Sequence, residues 1–465
     1  MTKYVDSSIN PSAINECLAK FTDIRCEVHT LSVYHDNKKV FEFAPEPYSM
    51  SDAAEVYSMS KTFAATVAGI AWDMELFSLD DKIIDIFPEE CPENISDNLA
   101  AMTVKNVISM NTGHEACVMP HMRHAEDSVK AFLSREVPYK PGTHFAYNTG
   151  ATCLIAAMVE KLSGKKFFDF ACEKLFYPMG ITNVYWNQCD DGICEGGIGL
   201  HISNEDISKL GLLYYNGGVH NGKRIVSREW IDIATSAISD NSNNGDINWC
   251  VGYGCQIWRN NIDGYRADGA FGQFCVVLPK FKSVITATVM SMDTAQELHI
   301  LIDMAQKLYS GEKCDFEGFD YEPLANSGDC THMTGTYILD ENLCGFKTAN
   351  ISVVDGNLNL TYSDSRSCQN IVAGNGRWIK STYCAKSKMP KLLGLMSDLF
   401  AENITVASSY TVEDNKIIIE SRYLNSPHSE KTVIETEGGR IKISFFATPG
   451  NDGLVSVSEI TGKSI

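Results

Sequence analysis

The segment from Ser58 to Trp72 constrains the fold of this chain more than any other, because its only charged residue is Lys61. The other positions are apolar, small or hydroxylated, so the segment predicts a helix that is buried on all sides. A buried lysine is rare unless it is paired, and no acidic residue lies within one turn of Lys61 on this segment. The simplest alternative is a lysine whose ammonium group reaches water at the mouth of the helix.

The spacing of Ser58 and Lys61 suggests a chemical role for both. The two residues are three apart, so a helical backbone places them on one face of the first turn. A helix N-terminus is electropositive and has free backbone N–H groups. Burial lowers the pKa of a lysine, and a neutral amine beside a hydroxyl activates it as a nucleophile. This is the S-x-x-K arrangement of serine β-lactamases and penicillin-binding proteins.

Length and composition limit the number of domains and the kinds of partner. The chain has 465 residues, which is enough for two or three hydrophobic cores. A net charge of −20 argues against nucleic acid or an anionic membrane as the main partner. No apolar run has the length of a membrane span, and no cysteine or histidine pair has zinc-site spacing. With 16 scattered cysteines and no signal-peptide pattern, we expect a cytoplasmic protein with free thiols.

Sequence periodicity divides the chain into a mixed part and a mainly β part. Strands are predicted over residues 29–34, 39–43, 252–258, 265–268, 272–278 and 283–290, and the main helices over 10–22, 58–72, 151–162, 203–215, 227–234 and 294–309. This order predicts an α/β (α+β) domain, in which helices flank an antiparallel sheet and a helical region is inserted. We expect this domain over residues 1–312, a linker over 313–329, and a mainly-β accessory domain without catalytic groups over 330–465. Its apolar segment 392–400 is the part expected to reach the substrate pocket.

Two further stretches carry candidate functional groups. Tyr147 occurs in Phe-Ala-Tyr-Asn-Thr-Gly, where Asn148 and Thr149 are also suited to capping the next helix. Residues 266–273 read Arg-Ala-Asp-Gly-Ala-Phe-Gly-Gln, a pattern that is also typical of a glycine-rich strand edge.

With these motifs in this order, the chain resembles the serine β-lactamase-like hydrolases. That superfamily contains class C β-lactamases, D-alanyl-D-alanine carboxypeptidases and related esterases and amidases. The resemblance extends over about residues 25–310, and it includes the stretches 79–82, 110–114, 199–218 and 222–230. It implies a β-lactamase-like fold for the first domain.

The resemblance also implies a role for each matched position. Ser58 matches the acylated serine and Lys61 matches its partner lysine. Tyr147 matches the tyrosine of the Y-x-N element, which shuttles protons between the serine and the leaving group. Gly269 matches the glycine of the K/H-T-G strand, and the backbone N–H groups of Ser58 and Ala270 match the oxyanion hole. The resemblance implies no metal and no organic cofactor.

Two departures from the family pattern concern the substrate pocket, whose candidate residues are Asn148, Thr149, Asp268 and Gly269. Thr149 occupies the third position of Y-x-N, with Asn148 displaced by one residue. Ala267 and Asp268 stand where the K/H-T-G strand has a cation or imidazole and a threonine. We expect Arg266 to point away from the pocket, because neighbouring strand residues alternate in direction. Asp268 would then repel a carboxylate, which favours a neutral or cationic substrate.

The sequence therefore predicts a serine hydrolase that acts on a small ester, amide or short peptide through an acyl-enzyme. One alternative is a D-amino-acid peptidase or a β-lactamase on the same fold. Another is a non-catalytic binding protein, because a fold does not guarantee activity. The presence of Ser58, Lys61 and Tyr147 together favours the enzyme.

Overall fold

A computed structural model describes residues 2–311, 314–325, 328–364, 368–384, 403–448 and 455–465. The apolar segment 392–400, which was expected to reach the pocket, lies outside these residues. Within the described ranges, no helix combines the length and the hydropathy that crossing a membrane requires.

The first part of the chain combines short and long helices with a seven-stranded sheet. The α-helices described there are α1 Ser12–Asp23, α2 Ser60–Asp73, α3 Ile83–Ile86, α4 Asp97–Ala101, α5 Val104–Ile108, α6 Met119–Met122, α7 Ser128–Leu133, α8 Thr149–Ser163, α9 Phe167–Ala171, α10 Asn204–Tyr215, α11 Arg228–Ala234 and α12 Thr294–Lys307. The strands are β1 Thr2–Val5, β2 Glu27–His35, β3 Lys38–Ala44, β4 Ala54–Glu55, β5 Tyr185–Trp186, β6 Leu200–Ile202, β7 Val219–His220, β8 Lys223–Arg224, β9 Trp258–Arg259, β10 Tyr265–Gly269, β11 Gln273–Leu278 and β12 Ser283–Met290.

The main sheet is antiparallel and has helices on both faces. Its strand order is β1-β3-β2-β12-β11-β10-β9, so the N-terminal hairpin pairs with the strands that precede α12. Helices α1 and α12 pack together on one face, around Phe21, Phe41 and Leu301. Helix α10 covers β11 and β12 on the other face, and α2 contacts β10 on this sheet. The inserted helices and α8 share one hydrophobic core with α2. The predicted fold class is confirmed.

Helix α2 is buried on every side, as its apolar sequence predicts. All residues from Ser60 to Ala71 are buried, and α2 packs against α8. Helix α8 begins after the N-cap residue Asn148 and ends at Gly164, whose left-handed backbone (φ 69°) closes the helix. Because α2 begins at Ser60, Ser58 lies in a preceding 3-10 turn, Tyr57–Met59, and not in the helix itself.

The predicted strand over residues 252–258 is wrong, since only its last residue belongs to a strand, β9. Gly252 (φ 111°) and Gln256 (φ 57°) have backbones that a strand does not tolerate. The Gln256 side chain is buried and donates through Nε2 to the Ile108 carbonyl, 2.8 Å away. Its Oε1 accepts a hydrogen bond from Thr152 Oγ1 at 2.7 Å. This segment therefore links α5 to α8 instead of extending the sheet.

The second part of the chain is mainly β, as predicted. Its strands are β13 Gly335–Leu339, β14 Thr348–Val354, β15 Asn357–Ser363, β16 Cys368–Ala373, β17 Ile379–Cys384, β18 Asn403–Glu413, β19 Lys416–Tyr423, β20 Ser429–Glu437, β21 Arg440–Ala447 and β22 Val455–Ser464. They form one ten-stranded sheet in the order β16-β15-β14-β13-β22-β21-β20-β19-β18-β17. A bridge between Gly374, which follows β16, and Ser409 in β18 curls the sheet into a barrel-like shape.

The C-terminal sheet contacts the first part through partly buried polar and aromatic groups. Arg422 pairs with Glu27, and its guanidinium lies 3.9 Å from the centroid of the Tyr321 ring. The backbone N–H of Glu55 donates to the Asn425 carbonyl at 2.9 Å. The turn between β19 and β20 therefore lies beside the residues that lead into Ser58.

Candidate active site

Ser58 is presented by a short, tightly held turn. Tyr57, which precedes it, has a left-handed backbone (φ 48°) that non-glycine residues rarely adopt. The backbone N–H of Tyr57 donates to Glu55 Oε1 at 3.0 Å, and the N–H of Gly199 donates to the same oxygen at 2.9 Å. The N–H of Val56 donates to the Leu200 carbonyl at 3.0 Å. These contacts hold the turn in place, and Ser58 remains partly exposed.

Lys61 lies against Ser58 and is almost completely buried, at 1% exposure. Its Nζ donates to Ser58 Oγ at 3.0 Å and to the Gly197 carbonyl at 2.8 Å, so both acceptors are uncharged. Burial lowers the pKa of Lys61 to about 7, although Cys117, Asp268 and Glu55 oppose this decrease. The amine is therefore placed, and tuned, to accept a proton from the Ser58 hydroxyl near neutral pH.

Tyr147 completes the group around Ser58. The Lys61 amine lies 4.8 Å from the centroid of its ring, and the ring stacks on Trp258 at a centroid distance of 5.4 Å. Burial raises the pKa of Tyr147 well above its ordinary value, although a side-chain hydrogen bond with Ser58 partly opposes the increase. The phenol therefore stays protonated and can donate a hydrogen bond or a proton.

Strand β10 and the turn after it form the opposite wall of the site. Asp268, Gly269 and Ala270 line a cavity of about 240 Å³ together with Ser58 and Tyr147. Gly269 packs against the turn that precedes Ser58, since a Cβ atom at this position would lie 2.2 Å from the Val56 carbonyl oxygen. Trp249, Trp258 and Phe274 add further aromatic rings to the lining.

The expectation that Arg266 points away from the pocket is wrong. Arg266 lies on the same face of β10 as Asp268, and its Nε donates to Asp268 Oδ2 at 3.0 Å. Its other N–H groups donate to Arg259 O, Asn260 Oδ1 and Asn248 O at 3.0–3.1 Å. It is Ala267 that faces away, towards Thr62 and Cys275. Side chains along β10 alternate in direction as expected, but the sequence does not show which set faces the site.

Two of the four pocket candidates, Asn148 and Thr149, do not line this cavity. Asn148 is completely buried, and its Oδ1 accepts hydrogen bonds from the N–H groups of Gly150 at 3.0 Å and Val118 at 3.1 Å. It caps α8 and does not line the cavity. Thr149 is the first residue of α8, and its backbone N–H donates to Cys117 Sγ at 3.3 Å.

Several residues at the site were not identified from the sequence. Trp249 donates through Nε1 to Asp268 Oδ2 at 3.0 Å, and Gly197 supplies the second acceptor for Lys61. Glu55 lies behind the Ser58 turn, and Glu55 Oε2 is 3.1 Å from His201 Nε2. Burial raises the pKa of Glu55 to about 8. None of them belongs to a local motif. Within the described residues, no group of three or more metal-binding side chains is found.

The pKa of Lys61 leads to a prediction about pH dependence. Labelling of Ser58 by a fluorophosphonate, which does not ionise in this range, should accelerate with pH and reach half its plateau near pH 7. The reason is that Lys61 accepts a proton only when it is neutral, which requires a pH above its pKa. Lys61→Arg is the control, because arginine stays charged. In this variant we expect slow labelling of Ser58 and no rise in rate near pH 7. A wild-type rate that is constant from about pH 5.5 to 8.5 would exclude Lys61 as the base.

Comparison with known proteins provides a family and a set of similar folds. A family model described as Beta-lactamase matches residues 27–303, and a search of curated proteins finds no match. A solved family VIII carboxylesterase is similar at a TM-score of 0.53 and 18% identity, covering 66% of this chain and 100% of the other. EstCE1, described as a hydrolase with promiscuous acyltransferase activity, has a TM-score of 0.53 and 12% identity, covering 64% and 98%.

One similar structure includes both parts of the chain. The octameric penicillin-binding protein homologue from Pyrococcus abyssi has a TM-score of 0.51 and 13% identity, covering 93% of this chain and 97% of the other. At these identities the similarities establish the fold alone.

Proposed function

Because the chain belongs to the beta-lactamase family, we propose that it is a serine hydrolase that cleaves a small ester or amide through an acyl-enzyme on Ser58. The proposal rests on the 3.0 Å hydrogen bond from Lys61 Nζ to Ser58 Oγ. The other acceptor of Lys61 Nζ, the Gly197 carbonyl, is also uncharged. A buried amine without a negatively charged acceptor is suited to act as a base. A fold similar to that of the solved family VIII carboxylesterase is consistent with this proposal.

The proposed reaction has two steps. In the first, neutral Lys61 takes the proton from Ser58 Oγ, and the oxygen attacks the substrate carbonyl carbon. The backbone N–H groups of Ser58 and Ala270 stabilise the oxyanion. As the bond to the leaving group breaks, Tyr147 delivers its proton to the departing alcohol or amine and regains one from the Lys61 ammonium, so that Lys61 is again neutral. In the second step, neutral Lys61 takes a proton from the water that attacks the acyl-enzyme carbonyl. The bond between Ser58 Oγ and the acyl carbon then breaks, Ser58 Oγ takes the proton back from Lys61, and the acid product leaves. No metal or organic cofactor has a role in this scheme.

The charges around the cavity favour a substrate without a carboxylate near the scissile bond. The four donor contacts of Arg266 all go to protein acceptors, so this guanidinium is not available to a substrate anion. A groove of about 520 Å³ lies on the other side of Tyr147, with Glu115 and Asp240 in its lining. Both acids are exposed, so the groove is suited to neutral or cationic groups.

A set of matched esters tests this preference. Three p-nitrophenyl esters with the same acyl chain, ending in a methyl, an ammonium or a carboxylate group, isolate the effect of charge. We expect kcat/KM for the carboxylate ester to be lower by roughly twofold to fivefold, because like charges at an exposed site repel by about 1 kcal/mol or less. Glu115→Gln should reduce this difference. Equal turnover of penicillins and neutral esters would contradict the proposed preference.

A wider substrate panel separates the proposed function from its alternatives. Neutral p-nitrophenyl esters, D-amino-acid amides and a chromogenic cephalosporin represent the esterase, D-peptidase and β-lactamase activities. Hydrolysis of esters ahead of the other two is the expected result. If none of them is turned over and a fluorophosphonate does not label the protein, the chain is a binding protein on this fold.

We also propose the domain division 1–312, 313–329 and 330–465, together with a reducing location such as the cytoplasm. The division is supported by the end of α12 at Lys307 and the start of the ten-stranded sheet at Gly335. The location is supported by the free thiols of the described cysteines. Cys153 and Cys189 are an example, since their sulfurs are 3.7 Å apart and not bonded.

A further inference from the structure

The two backbone N–H groups of the proposed oxyanion hole lie next to two unusual backbone conformations. Tyr57, directly before Ser58, has φ 48°, and Phe271, directly after Ala270, has φ 64°. Non-glycine residues avoid this region because of steric crowding. Such conformations persist only where the surrounding structure holds them. Contacts that hold Tyr57 and Phe271 therefore help to fix the backbone next to each of the two N–H groups.

The side chains of Tyr57 and Phe271 meet at one residue from the C-terminal sheet, His428. The rings of Tyr57 and Phe271 are edge to face at 5.2 Å and 73°. His428 packs edge to face on Phe271 at 5.0 Å and on Tyr57 at 6.3 Å. The Tyr57 hydroxyl and His428 Nε2 are joined by a 2.8 Å hydrogen bond. His428 is completely buried, and Tyr57 is 5% exposed.

The turn between β19 and β20 fixes the position of His428. The His428 carbonyl accepts a hydrogen bond from the N–H of Tyr423 at 3.1 Å, and its N–H donates to Ser426 Oγ at 3.3 Å. On the other side of the ring, Nδ1 lies 3.5 Å from Thr448 Oγ1. In the same turn, the Asn425 carbonyl accepts a hydrogen bond from the backbone N–H of Glu55. His428 is thus anchored in the C-terminal sheet while its Nε2 faces the first part of the chain.

The imidazole of His428 is neutral under physiological conditions. Burial lowers its pKa to about 3, and the nearby His29 acts in the same direction while Glu27 opposes it. A neutral ring carries one proton and has one acceptor nitrogen. The contact with Tyr57 is therefore an ordinary neutral hydrogen bond that does not change across the working pH range.

We propose that His428 is a positioning residue for acyl transfer, which orients the N–H groups of Ser58 and Ala270 by holding Tyr57 and Phe271. This inference rests on the proposed function, because an oxyanion hole has a role only if Ser58 becomes acylated. The oxyanion forms in the transition state and not in the bound substrate. Loss of the correct orientation should therefore lower kcat and leave KM almost unchanged. The C-terminal region thus contributes to catalysis although none of its side chains takes part in the proposed chemistry.

Variants in the full-length chain test this role. His428→Phe keeps a ring in place but loses Nε2, and Tyr57→Phe loses only the hydroxyl. Each should lower kcat on a neutral ester by roughly tenfold to a hundredfold, the scale expected for misplaced catalytic groups, with KM changed by less than about twofold. The double variant should be no slower than the worse single variant, because both remove the same contact. His428→Gln, which can still form a hydrogen bond at this position, should recover most of the rate.

A transition-state analogue gives a readout that general loss of stability would not produce. An alkyl boronic acid, which forms a tetrahedral adduct with serine, should bind His428→Phe more weakly by the same factor as kcat/KM falls. Binding of the carboxylic acid product should not change. His332→Phe, at an exposed histidine of the same region, is the matched control and should behave as wild type.

The outcomes separate this inference from the proposed function. If Ser58 is labelled in wild type but Tyr57→Phe and His428→Phe keep wild-type kcat and boronate affinity, the positioning role is excluded and the proposed function stands. A rise in KM at unchanged kcat also excludes it. If His428→Phe does not fold, Tyr57→Phe alone decides, because it removes one oxygen and keeps every ring. If Ser58 is not acylated in wild type, the proposed function is wrong, and the positioning role is excluded with it.

Discussion

Ser58→Ala is expected to remove covalent labelling and to lower ester turnover by roughly 10⁴-fold or more, the scale seen when a nucleophile is deleted. The Ser58 hydroxyl is the group that lies within hydrogen-bonding distance of the Lys61 amine and also lines the cavity. Alanine removes the attacking oxygen and leaves Lys61 with the Gly197 carbonyl as acceptor. Any remaining turnover would come from the oxyanion donors and from substrate positioning.

The control for this variant is Ser134→Ala, which removes an exposed serine hydroxyl after α7. It should keep wild-type turnover and labelling. Initial rates on a neutral p-nitrophenyl ester, with thermal unfolding of both variants, are the measurements required. If Ser58→Ala hydrolyses the ester at a rate close to wild type, Ser58 is not the nucleophile.

Tyr147→Phe is expected to lower kcat by about 10²–10⁴-fold with little change in KM, the range for loss of a general acid–base group. The phenylalanine ring can still stack on Trp258, as the tyrosine ring does at 5.4 Å, so the cavity wall should be preserved. The variant lacks only the phenol hydroxyl, whose raised pKa keeps it protonated and able to donate a proton to the leaving group. Because proton delivery takes place in the transition state, substrate binding should be affected little.

Tyr253→Phe provides a matched control for that variant. Tyr253 is also buried and packs edge to face on Trp258, with a centroid distance of 4.7 Å. Its hydroxyl has no role in the proposed reaction, so kcat should stay close to wild type. A raised KM with unchanged kcat for Tyr147→Phe would show that Tyr147 binds the substrate and does not move a proton.

Features that depend on local sequence were predicted well. An apolar run with a single charge is sufficient to identify α2 as buried, because each of its faces excludes water. The helices predicted from residues 203 and 227 agree with α10 and α11, whose N-cap residues Ser203 and Ser227 each accept a hydrogen bond from a backbone N–H of the first turn. The close approach of Ser58 and Lys61 follows from their spacing and agrees with the structure.

Features that depend on tertiary contacts were not predictable. The direction of Arg266 depends on which face of β10 meets the helical layer, and alternation alone gives two equivalent answers. The predicted strand over 252–258 fails because Gln256 bonds to α5 and α8, which are distant in the sequence. The contact between Tyr57 and His428 joins residues 371 positions apart, and no local pattern marks either residue for it.

The site of covalent modification is the most direct test of the proposed acyl-enzyme. The full-length protein would be treated with a small fluorophosphonate, or stopped during turnover of a slow ester, and the modified peptide identified by mass spectrometry. We expect one adduct, on Ser58, which is lost in Ser58→Ala and formed slowly in Lys61→Arg. An adduct on a different residue, or ester hydrolysis without modification of Ser58, would contradict it.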